Sequence, residues 1–135
     1  MSQISNEDLI QKSNSQIIKG GNNDSITGSV GCALLTEKGN IYTGVCVEMQ
    51  PEAHICAEQN AISEMKKAGE SKINKIVATW KDEKGDFYVV SPCGRCRQAM
   101  YDVNSDNLNS DIILNKDSVV KLRALLPHNN EYNKI

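Results

Sequence analysis

Leu9, Ile10, Ser13, Ile17 and Ile18 recur near helical spacing behind Ser5 and Asp8, a capping residue and a first-turn acid, and Gly20 and Gly21 close the run. A helix within residues 1–20 is therefore expected. The polar stretch 21–28 reads as a loop. Two apolar-rich runs follow at 29–36 and 41–48, separated by Glu37-Lys38-Gly39-Asn40, which predicts a β-hairpin. Beyond a loop containing Pro51, the residues Ala57, Ala61, Ile62, Met65 and Ala68 share one helical face, so a second helix is predicted over 56–68, ended by Gly69. A strand over 73–80, a charged turn over 81–86 and an extended piece over 87–90 come next. A third helix is predicted over 92–103, with Pro92 just inside its start. The stretch 104–111 is rich in Asn, Asp and Ser and reads as a loop. Residues 112–114 and 119–122 then flank Asn115-Lys116-Asp117 as a terminal hairpin, followed by a helical turn over 123–126 that Pro127 stops. The polar tail from His128 is expected to be mobile.

Hairpin, helix, strand, helix and strands in that order predict a small layered α/β domain spanning residues 1–135. A length of 135 residues fits one hydrophobic core. Fifteen Lys and Arg against seventeen Asp and Glu give a net charge of −2. That lacks the positive excess that binding to a phosphate backbone requires, so no nucleic-acid partner is expected. No basic and then apolar leader opens the chain, and no apolar run approaches the ~18 residues of a membrane span. A soluble, cytoplasmic protein with no membrane partner is the expectation. There the five cysteines, an odd number, do not read as a disulfide framework.

Two short segments carry chemistry: Cys56-Ala57-Glu58 opens the second predicted helix, and Ser91-Pro92-Cys93-Gly94-Arg95-Cys96 opens the third. At a helix N-terminus the dipole and free backbone N–H groups favour the thiolate, the metal-binding form of cysteine. Cys93 and Cys96 span one helical turn and can aim both sulfurs at one ion, with Cys56 as a third thiolate. Three protein ligands leave a tetrahedral position open, as in catalytic zinc sites. Two other readings stand beside this one. Cys93 and Cys96 could form a redox pair, or a closed structural zinc site could recruit His54, Cys46 or Cys32 as a fourth ligand. Cys32 and Cys46 lie in β-like runs and are most simply small buried hydrophobes. Glu58 follows Cys56 by two residues, where a carboxylate can lean over a metal without ligating it and relay a proton. Alone, a glutamate in a first helical turn is ordinary dipole compensation.

Cys-x-Glu followed by Pro-Cys-x-x-Cys resembles the zinc-dependent cytidine deaminase superfamily, in the variant with cysteine as first ligand. The longer segment Ser91-Pro92-Cys93-Gly94-Arg95-Cys96-Arg97-Gln98 strengthens the resemblance, as do Gly31-Cys32-Ala33-Leu34-Leu35 and Leu125-Leu126-Pro127. It covers about residues 28–127 and implies a three-layer α/β/α fold with a mixed sheet of about five strands. It also implies one zinc ion held by Cys56, Cys93 and Cys96, with Glu58 as the proton shuttle of a hydrolytic deamination at C4 of a cytosine ring. Backbone groups near Ala57 and Ser91 would hold the pyrimidine edge, and Glu48 aligns with a glutamate that hydrogen-bonds the sugar. The other reading of Glu48 is a solvent-facing charge at a strand end.

The chain departs from that pattern in places. Cys46 stands where relatives usually carry a sugar-binding Asn, and Gly28 and Asn130 stand where they carry aromatics, which leaves Tyr132 as a candidate for packing on the pyrimidine. Gln59 follows Glu58 where many relatives have Arg. Three thiolates leave a Zn²⁺ site about one unit negative, so Arg95, with help from Arg97, is expected to compensate. The order Gly94-Arg95-Cys96-Arg97-Gln98 is more similar to blasticidin-S deaminase. The expected activity is zinc-dependent deamination of cytidine, deoxycytidine or blasticidin S, in a homotetramer or homodimer that completes its pockets across interfaces. A non-catalytic zinc-binding interaction module and a nucleic-acid base deaminase are the competing readings.

Overall fold

The computed structural model describes residues 4–18, 27–49 and 53–135. Val30–Thr36 (β1) pairs antiparallel with Ile41–Val45 (β2) on one side and with Ile73–Lys81 (β5) on the other. The chain between β2 and β5 contains a two-stranded hairpin of Val47–Met49 (β3) and Ala53–Ile55 (β4). Phe87–Val90 (β6) lies antiparallel to β5, Asp111–Asn115 (β7) parallel to it, and Ser118–Lys121 (β8) antiparallel to β7. The result is a mixed sheet with five strands in the order β2-β1-β5-β7-β8 and β6 as a sixth, off that path, on β5.

The free edge of β5 is shared. Lys75 and Ile76 pair with β7, whereas residues 78–81 pair with β6, so the two partners fork at the level of Val77. The parallel β5–β7 pair requires a crossover. Gly94–Val103 (α3) and a 3₁₀ turn over Ser105–Asn109 supply it. Asn107 is buried in that turn, accepting from the Ile73 N–H at 2.8 Å and donating to the Met100 and Ser71 carbonyls, each at 2.9 Å.

Side chains alternate between two cores, as strand geometry demands. Cys32, Leu34, Ile76 and Ile112 face Ala57–Lys67 (α2) and α3, where Ala61, Ile62, Met65 and Met100 meet them. Ala33, Val77 and Ile113 face the opposite way, against Leu9 and Ile10 of Asn6–Asn14 (α1). Helices therefore cover both faces, which is the expected three-layer arrangement. Two glycines allow the close approach. A Cβ on Gly31 would collide with the Ser13 carbonyl of α1, and one on Gly44 would collide with the Ala57 carbonyl and lie 2.6 Å from the Ala61 nitrogen.

Several expected boundaries need correction. The first helix starts at the Ser5 cap, whose hydroxyl accepts the Asp8 N–H at 3.0 Å, but it ends at Asn14, before Ile17 and Ile18 of the expected helical run. Ser15 turns the chain out, its hydroxyl donating to the Lys12 carbonyl at 2.7 Å, and Ile18 is exposed. The expected Gly20-Gly21 stop, most of the 21–28 loop and Pro51 lie outside the described residues. The 41–48 run breaks at Cys46, whose backbone bonds to Val30 and Gly28 and releases the next residues into the β3–β4 hairpin. Pro92 precedes the third helix, because Cys93 is in the extended conformation of a cap. Leu122–Leu125 (α4) closes the regular structure.

Candidate metal and active site

The second and third helices begin with cysteine caps, and their starts converge. Cys56 caps α2, while the Cys93 sulfur caps α3 by accepting the Cys96 N–H at 3.4 Å. Three features fix the position of α2: the missing side chain at Gly44, the Asn60 amide bonded to the Val45 carbonyl, and the Gln59 side-chain oxygen, which receives the Cys56 N–H at 3.4 Å. Cys96 lies one turn into α3 and is buried.

The three sulfurs of Cys56, Cys93 and Cys96 all lie within 4.8 Å of one another. Cys93 is 3.9 Å from Cys56 and 3.5 Å from Cys96. Zinc–sulfur bonds of ~2.3 Å in a tetrahedron set thiolates about 3.8 Å apart, so the three residues fit that ion with little movement. Among the described residues no fourth His, Cys, Asp or Glu ligand atom joins this cluster. The fourth ligand needed for a closed structural site is thus not found there, and His54 is exposed.

The electrostatics differ between the three thiols. Burial raises the Cys56 thiol above its ordinary value against the pull of Arg95, and burial together with the Glu58 charge raises Cys96 strongly. At Cys93 burial is outweighed by the Cys96 N–H and the neighbouring thiols, and the value falls. The Arg95 guanidinium extends over this group, with Nη2 3.7 Å from the Cys56 sulfur and 3.0 Å from the His54 carbonyl. Arg97, expected to help with that task, donates from Nε to the Pro92 carbonyl at 2.8 Å and from Nη1 to the Leu125 carbonyl at 3.2 Å. It fixes the loop that carries Ser91 and Cys93.

Glu58 is buried in the first turn of α2, and burial raises its carboxyl above the ordinary range. It lines a small cavity with Ile76, Ala78, Val90, Pro92 and Met100, at the fork between β6 and β7. Its charge reaches both Cys96 and the buried Cys32. Cys32 is a core residue, as expected. Ala57 is buried at the start of α2, and Ser91 is exposed in the loop before Pro92. Glu48 lies on β3 directly opposite His54, with its backbone held by the Thr27 hydroxyl at 2.9 Å. The site thus gathers Cys56, Cys93, Cys96 and Arg95, and the charge of the buried Glu58 reaches Cys96. Tyr132 is 92% exposed in the tail. The sequence reading missed Gly44 and the Arg95–His54 link. A glycine inside an otherwise β-branched and aromatic strand was the signal for the first.

The sequence profile described as the cytidine and deoxycytidylate deaminase zinc-binding region matches residues 6–109. The chain is 34% identical over 102 residues to a cytidine deaminase of Shewanella sp. (strain W3-18-1), covering 73% of this chain and 31% of that protein. It spans less than half the length of the curated relatives it matches. Among solved structures, the cytidine deaminase of Mycobacterium leprae superposes with a TM-score of 0.75 at 25% identity, covering 93% of this chain and 100% of that one. The enzyme from Bacillus anthracis gives 0.73 at 25% identity, covering 92% and 88%.

Proposed function

The chain belongs to the cytidine and deoxycytidylate deaminase zinc-binding family, and from that premise we propose that it is a zinc-dependent hydrolase acting on a cytosine nucleoside or nucleoside-like compound. Its substrate is cytidine, deoxycytidine or blasticidin S, and its products are the uracil counterpart and ammonia. The observation that carries this reading is the convergence of three thiols, with sulfurs 3.5 and 3.9 Å apart, beside a buried carboxylate.

Cys56, Cys93 and Cys96 hold one zinc ion per chain. When bound, zinc supplies a Lewis acid and lowers the pKa of its water towards ~7. Glu58 takes one proton from the attacking water and delivers it to ring nitrogen N3, then takes the proton of the new C4 hydroxyl and passes it to the amine, so that the C4–N bond breaks, ammonia leaves and C4 becomes a carbonyl. Arg95 offsets the negative charge of the thiolates at Cys56. Backbone groups near Ala57 and Ser91 hold the pyrimidine edge, and Glu48 receives the sugar hydroxyls. Arg97 keeps the Ser91–Cys93 loop in place.

Three sulfurs and no fourth ligand among the described residues favour this reading over a closed structural module. The net charge of −2 favours a small substrate over nucleic acid. No helix of the described residues is long and apolar enough to cross a membrane. The reading includes a cytoplasmic location and a homotetramer or homodimer, and a monomeric mass in solution contradicts the assembly. Its test is a panel of cytidine, deoxycytidine, free cytosine and blasticidin S, followed by ammonia release and loss of absorbance. At least one nucleoside is turned over by the zinc-loaded protein and spared after chelation; turnover of none contradicts the proposal.

A further inference from the structure

The chain has six aromatic residues: one Trp, four Tyr and one Phe. Three of them, Trp80, Phe87 and Tyr88, sit at the outer end of β5 and β6, with exposures of 40%, 47% and 48%. In a chain so poor in aromatics, leaving half of them open at one corner gives up burial that the core could use.

Trp80 and Tyr88 are directly opposed across the two strands, and their ring centroids lie 5.3 Å apart at an interplanar angle of 32°. The Tyr88 hydroxyl donates to Asp82 at 3.0 Å, which holds its ring in place. Alternation along β5 puts Ile76, Ala78 and Trp80 on the face that carries α2 and α3, and Val90 and Tyr88 share that face by register. Ala78 and Val90 line the cavity that Glu58 enters. Trp80 and Tyr88 are the next residues outward on the same two strands, about 7 Å further along.

The start of α2 lies towards this end of the sheet. Gly44 and Ala78 both register with Cys32, and Gly44 lies against Ala57 and Ala61. Hence α2 begins above the Ala78 level, and Cys56 precedes it. A cytosine ring placed with C4 at the sulfurs and Glu58 carries its sugar on N1, across the ring from C4, and so projects the sugar outwards.

We propose that Trp80 and Tyr88 form an aromatic wall at the mouth of the site, on which the sugar of the bound nucleoside packs. This inference rests on the deaminase reading for its choice of ligand. It gives the chain an apolar sugar contact built from its own β5–β6 hairpin.

Trp80 is the single tryptophan, so its fluorescence reports on the wall directly. Titrating the zinc-loaded protein with uridine shifts the Trp80 emission saturably to shorter wavelength, and free uracil does so much less. Trp80→Ala raises the KM for cytidine roughly fivefold to tenfold with kcat within about twofold, and Trp80→Phe restores most of the loss. An unchanged emission at uridine concentrations that inhibit ammonia release overturns the proposal. So does an unchanged KM in Trp80→Ala, including the case in which that variant alters only the mass of the assembly and a second copy covers the patch. If no cytosine nucleoside yields ammonia but uridine still shifts the emission, the wall stands and the deaminase reading falls. If neither signal is seen, both fall.

Discussion

Arg95 and Cys56 meet across two helix starts, with the guanidinium Nη2 3.7 Å from the sulfur, while the same nitrogen donates to the His54 carbonyl at 3.0 Å. A cation at the first turn of a helix is unfavourable to the dipole. Its place over a group of thiols supplies the compensation. Arg95→Ala is expected to weaken zinc binding about tenfold, the low end for a residue that supports a ligand, because the guanidinium is exposed. Competition with a chromophoric chelator measures this, and an unchanged zinc affinity contradicts it.

Gly44→Ala tests the seat of α2. The added methyl group collides with the Ala57 carbonyl and crowds the Ala61 nitrogen, both of which are backbone and cannot swing aside. The expected cost is about 1–3 kcal/mol, typical of overpacking, together with reduced zinc retention, because α2 carries Cys56 and Glu58. Urea unfolding and zinc analysis read the two effects. Wild-type stability in this variant contradicts the close approach.

Much of this architecture is legible in the chain, for reasons that can be named. Ser5 and Gly69 mark helix limits through local geometry, the latter at a φ of +88°, and Gly39 marks the β1–β2 turn in the same way. Cys56 and Cys93 are informative because their spacing places thiols at helix starts. The β3–β4 hairpin is not legible: its strands are three residues each and lack a long alternating pattern. Asn107 sits in a polar stretch that reads as a loop, yet it is buried because three backbone groups from distant positions meet its amide. The parallel β5–β7 pairing and the Arg97–Leu125 contact are equally non-local, so no window of sequence contains them. Arg97, expected to help Arg95 offset the thiolate charge, donates from Nε and Nη1 to the Pro92 and Leu125 carbonyls.

Glu70 gives the fold a definite pH dependence. The Tyr42 hydroxyl at 2.6 Å, with the side chains of Thr36 and Asn40, holds its carboxyl below the ordinary range. A depressed folded value stabilises the protein above the unfolded pKa of about 4.3, and that contribution is lost as pH falls through the folded value. Urea midpoints at pH 7 and pH 3 should therefore differ more in the wild type than in Glu70→Gln. Equal differences in the two proteins contradict the role of this cluster.

The proposed function requires Glu58 to move the proton at an open site held by Cys56, Cys93 and Cys96. Glu58→Gln keeps the side chain's size and removes its acid–base function, leaving the three sulfurs untouched. The most direct measurement is ammonia release from the preferred cytosine nucleoside by wild type and Glu58→Gln, at equal, independently determined zinc content. About one zinc per chain is expected in both proteins, with a loss of turnover of at least ~10²-fold in the variant. Turnover by Glu58→Gln at the wild-type rate would contradict it.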